Sequence, residues 1–284
     1  MNTALERGYR RLLGRYERAA RDGSHPLFCR SLEHAVSFAA AVLMRWHRFS
    51  FPSRATGGWW WIDRYRFEFL AGWMEQDSLL WCRRLVKPGM TVIDIGAHIG
   101  FYTRRLAKMV GPGGRVIAFE ANPENFAVLQ ANLRGYRNVE LWNRCVADRD
   151  GVFTLHISPG HSNHSLNAGY TASESSLSIP GVALDSFLAA RGTAGVGFIK
   201  CDTEGAEPQV IEGMAALLKH RPAPALLIEY NPKAMRCGGA EPKDLLDRLE
   251  SLGYAVRAIG TDGGLVDVPE LEGNESCNLL CRPL

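Results

Sequence analysis

The feature that most constrains the fold is a regular alternation of short apolar runs and helical stretches that begins at residue 91. The apolar runs, each bounded by turn residues, lie at 91–96, 115–120, 139–143, 196–201, 225–230 and 254–259. The helical stretches lie at 99–109, 123–135, 206–220 and 242–252. Because parallel strands need a crossover connection over the sheet, this alternation builds right-handed βαβ units. The sequence therefore predicts an α/β fold with a doubly wound, mostly parallel sheet.

The first 66 residues follow a different pattern and are predicted to form a helical extension. Predicted helices cover 1–22, 28–48 and 67–86, of which the last leads into the α/β domain. Residues 1–56 contain ten arginines and four acidic residues, whereas the whole chain has a net charge of only +3. We therefore predict a basic extension at 1–66 and an α/β domain at 67–284. Within that domain, 151–184 interrupts the alternation with two strand-like pieces around a polar loop, which we expect to lie over a substrate site.

The extension also bears on location and partners. It shows no secretory signal, and its most apolar stretch, Val36 to Met44, spans about nine residues, too few to cross a bilayer. Seven cysteines without a C-x-x-C pair are typical of reduced thiols in a cytoplasmic protein. The basic helices are expected either to pack on the α/β domain or to lie at the inner membrane face, because arginines flank apolar residues there. Nucleic acid is not an expected partner, since the total charge is small, and no feature specifies an oligomeric state.

The first predicted strand ends in a glycine-containing turn that a helix follows at once. Its residues Gly96, Ala97, His98 and Gly100 have G-x-x-x-G spacing, unlike the G-x-G-x-x-G of dinucleotide sites. The glycines let the backbone pass close to a ligand, and the helix N-terminus offers N–H groups to an anion. Asp94, beside the turn, suits a cationic group. S-adenosylmethionine carries an ammonium, a carboxylate and a sulfonium, so the turn predicts a site for this nucleoside.

The next two strands end in further polar side chains. Glu120, 26 residues beyond Asp94, is placed to accept hydrogen bonds from both ribose hydroxyls, although an acid after a strand can also be a solvated helix cap. Asn122 begins the following helix and is assigned to the same cofactor site. Asp148 follows the third strand, and we expect it either to meet the adenine ring or to begin the turn at 148–151.

Carboxylates crowd the ends of the fourth and fifth predicted strands. Asp202, Glu204 and Glu207 lie within six residues, and Glu229 ends the next strand. Acids are stabilising at a helix N-terminus, but three exceed what one cap needs. Since the carboxyl edge of a doubly wound sheet forms the ligand crevice, we assign Asp202 to both the cofactor site and the catalytic site.

Together, these segments resemble the FkbM-type methyltransferases, a class I S-adenosylmethionine-dependent family with a Rossmann-like fold. The matching motifs lie at 92–103, 119–123, 184–187, 199–207 and 227–232. The resemblance covers residues 70–282 and implies a seven-stranded sheet whose last strand, at 278–282, is antiparallel. It also implies O-methylation of a hydroxyl on a sugar, glycolipid or natural product. Two departures are His98, where the family usually has Asn, and Cys145, where a small residue is common.

Methyl transfer to a hydroxyl requires in-line positioning and benefits from a base within hydrogen-bond reach. The first predicted base is Asp202, with Glu204 and Glu229 as neighbours whose mutual repulsion raises a pKa. A second is His164 or His161, in a loop able to fold over the substrate. For both histidines the alternative is a solvent-exposed polar loop.

Three other interpretations account for parts of the sequence. The carboxylates are also able to hold a divalent metal through hard oxygen ligands, an alternative that the sequence does not favour. A nicotinamide-dependent oxidoreductase shares the strand–turn–helix opening but has the G-x-G-x-x-G spacing that this chain lacks. A non-catalytic binding module is expected to lose cofactor-contacting residues, yet Asp94, Gly96, Gly100 and Glu120 are all present.

Overall fold

A computed structural model describes residues 4–23, 26–51, 59–158, 163–170, 175–193, 195–273 and 275–284. The chain divides into two compact units, Met1–Gln76 and Asp77–Leu284. This division falls ten residues after the predicted boundary at residue 66, and the reason is the packing of the third helix within the first unit.

The first unit contains three helices, α1 (Ala4–Arg21), α2 (Pro26–His47) and α3 (Trp59–Ala71). Apolar side chains on one face of α1 and one face of α2 form its small core: Leu13, Tyr16, Leu32 and Val36. The predicted helix at 67–86 is instead two helices, because Gly72 adopts a left-handed φ of 70° directly after α3. Glycine tolerates this conformation, which commonly ends helices.

Helix α2 agrees with the predicted helix at 28–48 to within two residues, but its apolar segment is longer than the stretch from Val36 to Met44. Its segment Leu27–Trp46 has 20 residues and a mean hydropathy of 1.3, and only 17% of the tested window is buried. By length and composition it is therefore able to cross a membrane, and the expectation of a nine-residue apolar stretch is wrong on length. Core helices of soluble proteins and signal sequences pass the same test.

The second unit alternates strands and helices, as predicted. Its elements in chain order are α4 (Gln76–Leu85), β1 (Thr91–Ile95), α5 (Phe101–Val110), β2 (Arg115–Phe119), α6 (Pro123–Asn132), β3 (Val139–Trp142), β4 (Cys145–Val146), β5 (Gly151–Ile157), β6 (Ser175–Val182), α7 (Leu184–Ala190), β7 (Val196–Cys201), α8 (Glu207–Gly213), α9 (Ala215–Lys219), β8 (Ala225–Tyr230), α10 (Pro232–Cys237), α11 (Pro242–Ser251), β9 (Tyr254–Ile259), β10 (Leu265–Val266) and β11 (Cys277–Pro283).

The main sheet has the strand order β10-β9-β11-β8-β7-β1-β2-β3. Strand β1 pairs in parallel with β2 and β7, and β11 runs antiparallel between β8 and β9. The predicted Rossmann-like sheet with an antiparallel last strand is thus confirmed. An eighth strand, β10, adds to the seven that the resemblance implied. It pairs with β9 across a tight turn in which the Gly260 N–H donates to the Gly264 carbonyl.

The predicted interruption at 151–184 is a separate three-stranded sheet. Strands β5 and β6 form an antiparallel hairpin, and β4 pairs with β6 in parallel. The two long strands were predicted. The two-residue β4 was not, because so short a run carries no periodicity.

The central strands β1, β2, β7 and β8 are almost continuously apolar, as strands covered on both faces must be. Two buried charged residues break this rule, Asp94 in β1 and Lys200 in β7. They are register partners in adjacent strands. Charged side chains are rarely buried unless paired, so this pair directs attention to the carboxyl edge of the sheet.

Candidate active site

The turn after β1 lies against the end of β7. Gly96 has a φ of 77°, and a Cβ atom there would lie 1.7 Å from the carbonyl oxygen of Asp202. Only glycine satisfies both conditions. The N–H groups of Gly96 and Ala97 donate to the Phe119 carbonyl at 3.0 and 2.9 Å, which ties the turn to β2 as well.

The second glycine of the motif, Gly100, caps the start of α5 with a φ of 95°. A Cβ atom at this position would lie 2.7 Å from the Leu133 side chain and 2.9 Å from that of Leu129. Gly100 therefore lets α5 begin close against α6. Both glycines thus allow neighbouring segments of the chain to pack closely. This packing holds the turn and the N-terminus of α5 in place.

Glu120 organises the loop that follows β2. Its Oε2 accepts the His98 N–H at 2.7 Å, and its Oε1 accepts the Asn122 N–H at 2.9 Å. Burial raises the pKa of Glu120 to about 7, while these two backbone hydrogen bonds act in the opposite direction. The side chain is buried, which excludes the solvated-cap alternative. His98 has a left-handed φ of 51°, so this carboxylate joins the turn after β1 to the loop after β2.

Two asparagines support this loop. Asn122 is the N-cap of α6, and its side chain accepts from the N–H groups of Glu124 and Asn125. Asn143, after β3, donates to the carbonyl oxygens of Glu120 and Ala121 at 2.8 and 3.1 Å. The sequence predicted Asn122 as a site residue, and the structure adds Asn143 beside it.

Asp148 lies apart from this group. It is exposed on the turn that leads into β5, and its carboxylate pairs with Arg149 at 3.0 Å. This arrangement matches the turn that the sequence offered as the alternative to adenine contact. An exposed pair between adjacent residues stabilises a protein little.

Asp94 is fully buried beneath the turn. Its Oδ2 accepts the Thr103 hydroxyl at 2.6 Å, whereas Oδ1 accepts no hydrogen bond from the residues that the structure describes. Burial raises the pKa of Asp94, while the nearby Lys200 and the Thr103 hydroxyl act in the opposite direction. Asp94 therefore anchors the first turn of α5 through Thr103.

Lys200 links the two sides of the site. Its buried ammonium lies 2.8 Å from Asp202 Oδ2 and 3.5 Å from the Gly96 carbonyl oxygen. Residues two apart on a strand share a face, so Lys200 and Asp202 meet at the end of β7. Lys200 was not predicted as a site residue, although a lysine inside an apolar strand is itself an indication of a buried partner.

Three carboxylates meet at the ends of β7 and β8. Asp202, Glu204 and Glu229 each offer one oxygen, and these oxygens lie within 4.8 Å of one another. Burial, followed by the charges of Asp202 and Glu207, raises the pKa of Glu204 to about 8. Burial and then Asp202 raise the pKa of Glu229 well above its usual value. The carboxylates predicted to be neighbours are therefore neighbours, and we refer to these three as the carboxylate cluster.

Glu207 has a different role. Its buried carboxylate accepts the N–H and the hydroxyl of Thr203 at 2.7 and 2.9 Å, and the Gly205 N–H at 3.0 Å. These bonds fix the loop that carries Glu204, which itself has a left-handed φ of 56°. Glu207 thus fixes the backbone conformation of this loop.

Residues 163–170 reach the same loop. The Tyr170 hydroxyl donates to Glu204 Oε2 at 3.2 Å and accepts from Asn231 Nδ2 at 2.8 Å. The Ser165 hydroxyl donates to the Glu204 carbonyl at 2.7 Å. Asn231 also caps α10, a role that its position before Pro232 indicates. No feature of the sequence indicated Tyr170, because its partners lie 34 and 61 residues away.

His164 lies in the same segment but faces its own hairpin. Its Nδ1 accepts the Ser158 N–H at 3.0 Å, so Nδ1 carries no proton in this arrangement. This bond ties the ring to the end of β5. His161, the other predicted histidine, lies outside the described residues.

The residues described above lie within a region that is similar to known methyltransferases. Residues 94–256 match the methyltransferase FkbM domain. The 31-O-demethyl-FK506 methyltransferase FkbM of Streptomyces tacrolimicus is 30% identical over 45% of this chain and 61% of its own length. The 2-O-methyltransferase NoeI of Sinorhizobium fredii is 25% identical over 65% of this chain and 83% of its own. A solved methyltransferase from Aquifex aeolicus aligns over 72% of this chain and 88% of its own, with 19% identity and a TM-score of 0.41.

Proposed function

Because this chain belongs to the methyltransferase FkbM domain family, we propose that it transfers the methyl group of S-adenosylmethionine to a hydroxyl of a sugar, glycolipid or natural product. The printed names of the two relatives both specify methylation at oxygen. The observation that carries the proposal is that the turn after β1 and the carboxylate cluster lie together at the carboxyl edge of the main sheet. The Gly96 turn touches the backbone of Asp202, whose side chain belongs to the carboxylate cluster.

The residues around the turn suit the parts of the methyl donor. Glu120 is held by two backbone N–H groups and keeps further lone pairs for ribose hydroxyls. The first N–H groups of α5 suit a carboxylate. Asp94 and Lys200 hold the turn from beneath. When bound, S-adenosylmethionine supplies an electrophilic methyl group on a sulfonium.

Within the carboxylate cluster, we propose Glu204 as the proton acceptor. Its pKa of about 8 lies close to physiological pH, where proton exchange is most effective. Asp202, the first choice from the sequence, has Oδ2 occupied by the Lys200 ammonium. Glu204 takes the hydroxyl proton while the acceptor oxygen bonds to the methyl carbon. S-adenosylmethionine, when bound, would supply the methyl carbon and keep the electron pair of the carbon–sulfur bond on sulfur.

Calorimetry with S-adenosylhomocysteine, the demethylated product, tests the donor site. We expect one molecule bound per chain, and no detectable binding by a folded Asp94→Ala, Glu120→Ala double variant. A screen of glycans, glycolipids and natural products with labelled donor then identifies the acceptor. Folded protein without affinity for either form of the nucleoside, or an unaffected double variant, contradicts the proposal.

For location, we propose a cytoplasmic protein whose first unit binds the inner membrane face. Helix α2 buries Leu32, Val36 and Ala40 on one face. Its opposite face exposes the large apolar side chains Leu27, Phe38, Val42 and Trp46, which are 78%, 74%, 50% and 83% exposed. Because one face of α2 is occupied by helix packing, we place the helix on the bilayer surface rather than across it. The arginines of residues 1–56 favour anionic lipid.

Co-sedimentation with phosphatidylglycerol vesicles and with phosphatidylcholine vesicles tests this location. We expect binding to the anionic vesicles alone, and loss of binding in Phe38→Ser, Trp46→Ser. Val152→Ser is the matched control, since Val152 is 74% exposed but lies on β5. Absence of binding at low salt contradicts the surface proposal. Resistance to alkaline carbonate extraction supports a spanning helix instead, and self-association of vesicle-free protein supports a second copy as the partner.

A further inference from the structure

Glu229 carries a buried oxygen without a partner. Its Oε2 is shielded from solvent and accepts no hydrogen bond from the described residues. Asp202 faces Glu229 closely enough to raise the pKa of Glu229, so the two carboxyl groups need either a proton or a cation between them. A buried charged oxygen that lacks a partner is costly, and native proteins normally supply one.

The local charge is also unbalanced. The carboxylate cluster contributes three negative charges when ionised, and Lys200 contributes one positive charge through Asp202 Oδ2. Tyr170 supplies a neutral donor to Glu204. One doubly charged ion in the cluster offsets two of these negative charges.

From these observations we infer that Asp202, Glu204 and Glu229 bind one divalent cation of the Mg²⁺ or Mn²⁺ class, an inference that rests on the proposed methyl transfer at this edge. Sets made only of carboxylate oxygens favour such hard ions over softer metals. Opposite oxygens around one ion lie roughly 4–5 Å apart at ordinary bond lengths. The oxygens of the cluster lie within 4.8 Å of one another, so small side-chain rotations close the site.

The position of these ligands suits an acceptor site. Asp202 and Glu204 follow β7, and Glu229 lies in the neighbouring β8, so two paired strands hold the ligands. Three protein ligands leave positions open for water and for the acceptor oxygen. Glu204 Oε2 accepts the Tyr170 hydroxyl, and the remaining lone pairs of the carboxylate are able to bind the cation and to receive the hydroxyl proton. The cation thus orients the acceptor oxygen beside Glu204.

Titration of purified chain with Mn²⁺, followed by loss of the free-ion electron paramagnetic resonance signal, tests the site without any turnover. We expect one ion per chain, and at least tenfold weaker binding in Glu229→Gln and in Glu204→Gln. Glu212→Gln is the matched control, because this exposed residue pairs with Arg248 on the surface. Thermal unfolding verifies that each variant folds, and Mn²⁺ should raise the midpoint of the wild type and of Glu212→Gln but not that of Glu204→Gln or Glu229→Gln.

Binding of S-adenosylhomocysteine separates this inference from the proposed function. Glu229→Gln should retain wild-type affinity for the nucleoside while it loses Mn²⁺. If wild-type protein does not bind Mn²⁺ at millimolar concentration, or if both variants bind it as the wild type does, the cation inference is overturned and methyl transfer stands. Methyl transfer at an undiminished rate in the presence of a chelator would also overturn the cation inference. Absence of nucleoside binding, by contrast, overturns the proposed function.

Discussion

The carboxyl edge of the main sheet contains two halves built on opposite principles. In the half that we propose to bind the cofactor, at the ends of β1 and β2 (the cofactor half), both oxygens of Glu120 accept backbone N–H groups. The acceptor half, at the ends of β7 and β8, crowds carboxylates together, and Glu229 Oε2 has no partner among the described residues. In the first half, Glu120 is hydrogen-bonded at both oxygens without a ligand, although the buried Oδ1 of Asp94 accepts no hydrogen bond from the described residues. The other holds charge that only a proton or a ligand relieves.

This difference suits one half to holding the cofactor in place and the other to proton transfer. Donors supplied by the chain fix the cofactor half before any ligand arrives, which lowers the entropy lost on binding. Crowding raises the pKa values of Glu204 and Glu229, because burial and like charges both disfavour ionisation. Perturbed groups of this kind concentrate at catalytic sites. We therefore expect substitutions in the two halves to affect different measurements.

The largest effect is expected where the two halves touch. Gly96→Ala forces a Cβ atom to within 1.7 Å of the Asp202 carbonyl at a φ of 77°. We expect a loss of about 4 kcal/mol in the free energy of unfolding, from strain and overpacking combined. Chemical denaturation measures it. Gly89→Ala is the control, because Gly89 has a φ of 84° with open space around it, and it should cost only about 1–2 kcal/mol. Equal losses would show that the close approach is unimportant.

A second prediction separates the halves kinetically. Glu204→Gln should lower kcat by about a hundredfold, because it removes the proton acceptor. The dissociation constant of S-adenosylhomocysteine should stay unchanged, since Glu204 lies in the acceptor half. Steady-state kinetics and calorimetry measure the two quantities, with Glu212→Gln as a surface control. A variant that loses nucleoside affinity instead would place Glu204 in the cofactor half.

A third prediction concerns pH. Only ionised Glu120 accepts two ribose hydroxyls fully, and its pKa is about 7. Affinity for S-adenosylhomocysteine should therefore be highest above pH 8 and fall as pH decreases through 7, to about tenfold weaker at pH 6. Calorimetry across this range measures the slope. Glu120→Gln cannot titrate at this position, so its affinity should be lower and nearly flat, and a steep slope in that variant would assign the effect elsewhere.

The smallest effect is expected at Tyr170. Tyr170→Phe removes a donor to Glu204 and an acceptor for Asn231. One such neutral hydrogen bond contributes about 1 kcal/mol, so kcat should fall about fivefold at unchanged nucleoside affinity. Tyr136→Phe removes a hydroxyl bonded to Arg104 and should leave kcat unchanged. Equal kinetics in both variants would exclude Tyr170 from the acceptor half.

The residues that we propose for the cofactor half were visible in the sequence, because they lie in short motifs directly after strands. Gly96, Glu120 and Asn122 lie in short motifs after consecutive strands, where chain order alone brings them to one edge. Asp148 shows the limit of this argument, since it also follows a strand yet lies in an exposed ion pair with Arg149. Position after a strand predicts the edge of the sheet but not the direction of a side chain.

The acceptor half was only partly predictable, because its contacts are long-range. The carboxylates were visible in their motifs, but Tyr170 reaches them from a separate sheet, and Lys200 pairs across two strands. The helix break at Gly72 was missed for a different reason. A single glycine inside a helical pattern has no fixed meaning until its φ is known.

The placement of β11 has a consequence for how the two halves arise during translation. It lies between β8 and β9, although the ribosome makes it after both. Strands β8 and β9 therefore emerge with a gap between them, and each presents an unpaired edge until residues 277–283 arrive. Strand β2, by contrast, finds β1 already made, and β3 finds β2. The open edges of β8 and β9 should make nascent chains prone to aggregation, and dependent on chaperones, during that interval.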